Sequence, residues 1–163
     1  MKIAYFTDIY LPMMGGVQVS VREFADRLSV NHKVRVYAPA YGLGEKLFSD
    51  GFEVERYKSV PMSVYKGFEL AVPNVMRLYK SVETFRPEVI HVHSPGPMGL
   101  MGLLMARRLK IPTTGTYHGF LNEFGDYVSL GVNLRKWGRE VVGKLKEHGL
   151  VGGWLTNMER VGE

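Results

Sequence analysis

The sequence predicts an α/β fold, a mostly parallel sheet with helices on both faces. Two observations carry this reading. Short β-branched runs alternate along the 163 residues with segments whose apolar positions recur at helical spacing. A Gly15-Gly16 pair also separates the first such run from the first such segment, the place where a parallel strand turns into its crossover helix.

Each element has its own signal. Lys2 to Thr7 reads as the first strand, and beyond the loop Asp8 to Met14 a helix starting at Val17 carries an apolar stripe of Val17, Val21, Phe24, Ala25 and Leu28. Lys33 to Ala38, stopped by Pro39, reads as the second strand. Ala40 to Asp50 is glycine-containing and reads as loop, and Phe52 to Tyr57 is the third strand. Residues 58–72 fit neither period. Pro73 opens a helix with Val75, Met76, Tyr79, Val82 and Phe85 on one face, ending before Pro87. Glu88 to His93 is a fourth strand, halted by Ser94-Pro95-Gly96-Pro97, and Met98 to Leu109 is an apolar helix. Thr113 to Tyr117 is a fifth strand running into His118-Gly119. Ligands bind beyond the carboxyl ends of such strands, where the loops at 8–16, 94–97 and 118–126 fall.

Composition narrows the chemistry. A chain of this length is one ordinary domain, and 45% apolar with 23% charged residues excludes disorder and collagen-like repeats. Without cysteine there are no disulfides, zinc fingers, iron–sulfur clusters or thiol nucleophiles. A net charge of +5 suits an anionic partner, but the basic residues are scattered and no nucleic-acid motif accompanies them, so no nucleic acid is expected. The first acid arrives at Asp8, too early for a secretory signal, which makes a cytoplasmic location the expectation.

Gly15-Gly16-Val17 is the most informative stretch. A bare backbone at a helix N-terminus lets a ligand approach unpaired N–H groups and the positive end of the helix dipole, so an anion is its natural guest. Neither the dinucleotide nor the P-loop fingerprint can be read here, and a plain tight turn explains the glycines equally well. His91 reads as a core histidine, and Met98, Met101 and Met105 as core filling. No metal is expected, because carboxylates at ligand spacing are missing. Asp8 fits a turn cap.

Three segments together resemble the N-terminal domain of family 4 retaining glycosyltransferases: M-K-I-A-Y-F-T-D-I-Y-L-P-M-M-G-G-V, R-P-E-V-I-H-V-H-S-P and I-P-T-T-G-T-Y-H-G-F. The resemblance covers roughly residues 1–130 and implies a Rossmann-like acceptor-side domain, the N-terminal half of a GT-B architecture. It implies a UDP- or GDP-hexose donor whose diphosphate meets Gly15, Gly16 and Val17, with no cofactor besides this co-substrate. His118 would lie against the transferred sugar, and Asp8, Tyr10, His93 and Ser94 would face the acceptor. Glu123 and Asp126 are similar to an acidic segment of bacterial glycolipid glucosyltransferases, pointing to a lipid acceptor ahead of a saccharide.

Residues 131–163 depart from the family pattern and read as a helical tail. Leu134, Trp137, Val141, Val142 and Leu145 share a helical face flanked by lysines and arginines, which suits either packing on the domain or peripheral contact with an anionic membrane at its inner face. The paired glutamates of the family's second domain are missing from the sequence, so a separate donor-binding chain is expected and the isolated chain is expected to be inactive. The rival reading is a non-catalytic binding or assembly module that docks onto a partner subunit.

Overall fold

The computed structural model describes residues 1–43, 47–62, 67–94 and 96–116. Among them are β1 (Lys2–Phe6), α1 (Gly16–Ser29), β2 (Lys33–Pro39), β3 (Leu47–Asp50), β4 (Phe52–Tyr57), β5 (Ser59–Pro61), β6 (Glu69–Ala71), α2 (Val75–Phe85), β7 (Val89–Val92), α3 (Pro97–Leu109) and β8 (Thr113–Gly115). The main sheet has the order β3-β4-β2-β1-β7-β8, and every pairing in it is parallel except β3 with β4. This is a Rossmann-like sheet. Its order reverses direction at β1, with β2 on one side and β7 on the other, so the loops after β1 and β7 are neighbours at the carboxyl edge.

Strand periodicity sorts the core into two layers. Ile3 and Tyr5 of β1, with Val34, Val36 and Ala38 of β2, meet Val21 and Ala25 of α1 on one face. Ala4 and Phe6, with Tyr37, Ile90 and Val92, meet Leu78 and Val82 of α2 and Met98, Met105 and Ala106 of α3 on the other. Met98 and Met105 are therefore core filling, with Met101 packed partly buried beside them. Beneath α2 lies a polar network: Arg35 Nε donates to Glu53 at 2.6 Å, Tyr57 Oη donates to Glu55 at 2.7 Å, and Ser81 Oγ also donates to Glu55. Asn74 caps α2 by accepting the Arg77 N–H at 3.0 Å, where the helix reading had placed only Pro73.

Two stretches differ from the sequence reading. The loop expected over 40–50 contains β3, which folds back on β4 through Gly51, so a polar turn of the Asp-Gly kind had concealed a strand. The patternless stretch 58–72 holds the β5–β6 hairpin, whose strands are too short to show a period. No described helix is long and apolar enough to cross a membrane.

Glycines set how closely α3 sits. A Cβ on Gly99 would fall 1.7 Å from the Ser94 carbonyl oxygen, and one on Gly102 would fall 2.6 Å from the Phe6 ring. Gly99→Ala therefore forces backbone to move, and its chemical-denaturation midpoint should report a loss of at least about 1–3 kcal/mol. Gly15→Ala, whose Cβ meets nothing within 4 Å, should stay within about 0.5 kcal/mol of the parent. Equal midpoints for the two variants would contradict this packing.

Candidate functional site

Two helix N-termini face the carboxyl edge beside the reversal point, and the fold treats them oppositely. At α3, the chain leaving β1 brings in Asp8, two residues beyond the strand and only 3% exposed. Its Oδ1 accepts the Met98 N–H at 2.7 Å, and its Oδ2 accepts the Gly99 N–H at 3.3 Å and the Ser94 hydroxyl at 2.6 Å. Ser94 Oγ accepts the Asp8 N–H in return, at 2.8 Å. A side chain on Gly96 would strike this carboxylate, its Cβ lying 2.6 Å from Asp8 Cγ. The strand loop thus caps the neighbouring helix from outside, taking up donors that Gly96 at the cap position cannot satisfy. Burial pushes the Asp8 carboxyl above its ordinary value, against the pull of Ser94 and the backbone N–H groups of Met98, Gly99 and Gly96.

At α1 nothing comparable occurs. Gly15 occupies the cap position with extended backbone, no side chain among the described residues caps the helix, and its first turn holds no acid. Gly15 and Gly16 are exposed, and a Cβ on either would project into open space. The fold itself has no need of glycine at these two positions. No Cβ shields the backbone at these two positions, which stand at the positive end of the α1 dipole. Val17 follows, half-buried.

The other expected site residues separate into groups. Tyr10 is buried in the α1-side core, with the Arg56 guanidinium 5.7 Å from its ring. His93, at 1% exposure, stacks on His91 with ring centroids 4.3 Å apart, and Tyr5 meets both edgewise. Two residues apart on a strand, the histidines share one face, and His93 rather than His91 is the core residue. His91 is half-buried and pairs through Nε2 with Thr116 Oγ1 at 2.8 Å. Asp8, Tyr10, His93 and Ser94 are all buried at the carboxyl edge and sit beneath its surface rather than on it; the polar atoms of Asp8 and Ser94 are taken up by each other and by the first turn of α3. His118, Glu123, Asp126 and the tail 131–163 lie outside the described residues. Among the described residues no group of three His, Asp or Glu could hold a metal ion.

Two residues were missed by the sequence reading. Gln18 is buried in the first turn of α1 and its Oε1 has no hydrogen-bond partner among the described residues; a polar residue on an otherwise apolar stripe was the available signal. Tyr41, two residues beyond β2, takes a left-handed backbone with φ 48° and sends its hydroxyl to the Asp8 carbonyl. Nothing in the order of residues announces that reach.

The profile described as Glycosyltransferase Family 4 matches residues 14–146. An alpha-monoglucosyldiacylglycerol synthase of Streptococcus pneumoniae is 28% identical over 83% of this chain and 30% of its own length. A GDP-mannose-dependent alpha-mannosyltransferase of Mycobacterium tuberculosis is 32% identical over 76% of this chain and 35% of its own. The chain thus spans about a third of the length of these relatives. A sucrose-phosphate synthase structure from Thermosynechococcus elongatus superposes with a TM-score of 0.51 at 14% identity, covering 78% of this chain and 35% of that one, a likeness of fold.

Removing the Asp8 carboxylate tests the cap. Asp8→Ala strands the Met98 N–H and the Ser94 hydroxyl, and should cost about 1–3 kcal/mol. Because folding raises the Asp8 carboxyl, the folded state holds the proton more readily than the unfolded chain. That component of stability is full below the ordinary carboxylate range and is lost as pH rises through the raised value. Denaturation midpoints measured across acid pH should show this component in the parent and not in Asp8→Ala; parallel profiles would contradict it.

Proposed function

The chain belongs to Glycosyltransferase Family 4, and from that premise we propose that it forms the acceptor-side half of a retaining hexosyltransferase that uses a nucleotide-sugar donor. The observation that carries this reading is the open N-terminus of α1, with two bare glycines, beside an α3 N-terminus already filled by Asp8. A diphosphate is the anion that fits such a site. It would accept N–H groups at Gly15, Gly16 and Val17 while the dipole of α1 offsets its charge.

The chemistry follows from that placement. The bond between the hexose anomeric carbon and the diphosphate oxygen breaks, the nucleoside diphosphate leaves, and the acceptor hydroxyl oxygen bonds the anomeric carbon. Its proton passes to the departing phosphate oxygen. Charge grows on the diphosphate as this happens, which is where preorganised N–H donors lower a barrier. His118 would position the hexose by a hydrogen bond to a sugar hydroxyl. No resident cofactor is required, the nucleotide sugar being a co-substrate.

The relatives' names supply the substrate classes. One group makes monoglucosyldiacylglycerol, and the other uses GDP-mannose for an α-linked product. A lipid acceptor, a UDP- or GDP-hexose and a donor-binding domain outside these residues complete the proposed enzyme. It would act peripherally at a membrane face.

The test mixes the chain with its candidate donor-binding partner, UDP-glucose or GDP-mannose, and diacylglycerol vesicles or a saccharide acceptor. Hexose transfer should appear with the partner, and Gly16→Ala should weaken donor binding on the order of tenfold while the denaturation midpoint holds. Silence with every donor and partner would favour the non-catalytic module instead.

A further inference from the structure

Tyr41 is a bulky residue in the left-handed region, where a side chain crowds its own backbone and the surrounding structure has to hold it. The feature invites the question of what its placement achieves. The side chain is 8% exposed, and its hydroxyl donates to the Asp8 carbonyl at 3.0 Å and approaches Met13 Sδ at 3.5 Å. Burial pushes the phenol up to about 12, with the Asp8 carboxylate adding to the shift and the Glu69 backbone N–H opposing it.

Tyr41 is also fixed from behind. Its own N–H donates to Ser59 Oγ at 3.0 Å, and Ser59 Oγ donates to Glu69 Oε2 at 2.5 Å. Leu43 N–H returns to the Ala40 carbonyl at 3.0 Å, closing the turn that carries the tyrosine. One hydrogen-bonded line therefore crosses the carboxyl edge from Glu69 through Ser59 and Tyr41 to Asp8, whose carboxylate continues it to the first turn of α3 with Ser94 bonded alongside.

The loop this line grips is the one that delivers the glycines. Asp8 and Met13 bracket it, and Gly15 follows Met13 by two residues. Inside the loop, Thr7 Oγ1 donates to the Ile9 carbonyl at 2.9 Å and Met13 N–H donates to the Tyr10 carbonyl at 3.1 Å. These bonds shape the loop but do not tie it to the rest of the edge. Tyr41 does both, touching the two ends at once.

We propose that Tyr41 is a positioning residue for the α1 anion site: its hydroxyl latches both ends of loop 8–13 so that the N–H groups at Gly15 and Gly16 are held ready for the donor diphosphate. The assignment rests on the donor reading above. A site that must not reorganise when charge develops needs a backbone held in advance, and a latch on the loop supplies that without touching the ligand.

Tyr41→Phe keeps the ring and the backbone and removes only the hydroxyl. Tyr37→Phe is its control, since the Tyr37 hydroxyl lies 3.4 Å from Ser81 Oγ under α2. Both are made in the protein complete with its donor-binding domain, and read by amide hydrogen exchange without ligand and by titration with UDP-glucose and GDP-mannose. Tyr41→Phe should speed exchange over residues 9–15, leave β1 and α3 as in the parent, and raise the donor Kd on the order of ten- to a hundredfold. Tyr37→Phe should change neither reading. Unchanged exchange over 9–15 in Tyr41→Phe overturns the latch, and faster exchange with an unchanged Kd overturns its positioning role. A parent protein that takes up neither donor overturns the transferase reading, while ligand-free exchange still decides the latch.

Discussion

A buried carboxylate at the N-terminus of α3 is the interaction on which the carboxyl edge depends. Asp8 lies two residues past β1, Ser94 two residues past β7 beside it, and the two are joined both by the Asp8 N–H and by the carboxylate itself. The same carboxylate closes the first turn of α3. Such an arrangement demands a short distance between helix and sheet. Gly96, Gly99 and Gly102 provide it, each occupying a spot where a side chain would meet Asp8, the Ser94 carbonyl or Phe6. Packing and capping are therefore one constraint: the helix can come close because the glycines are bare, and once close it must have its N–H groups satisfied.

From that constraint comes a division between the two helix ends. An internal carboxylate already sits where an anion would bind α3, which leaves α1 as the end open to solvent. Sheet order brings the ends together, because the direction of winding reverses at β1. The Arg35–Glu53–Glu55 network under α2 lies on the sheet face opposite α1 and fastens α2, through Ser81, to β2 and β4. It holds the scaffold and leaves the edge to Asp8 and Tyr41.

Much of this fold was legible from the sequence where a single period ran long enough. The stripe of α1, the β-branched run of β2 and the apolar helix after Ser94 all lie within a residue or so of their expected bounds. Legibility failed where elements were short. β5 and β6 have three residues each, and β3 follows a glycine-containing turn, so no alternation could establish itself. For the site, residue type was informative about location and silent about direction. Asp8, Tyr10, His93 and Ser94 all lie at the carboxyl edge, but a polar residue just past a strand can point at a ligand or at a neighbouring helix. Only the register and the glycine spacing of α3 decide which. Tyr41 was harder still, because its left-handed backbone is held by partners in the loop after β1 and in β5 and not by its neighbours in the chain.

The most direct measurement is a titration of the isotopically labelled protein with inorganic diphosphate, followed by amide chemical shifts. The account predicts saturable shifts at Gly15, Gly16 and Val17, with Met98 and Gly99 unmoved because Asp8 already occupies their end of α3. Shifts centred on Met98 and Gly99, or none around Gly15, would contradict it.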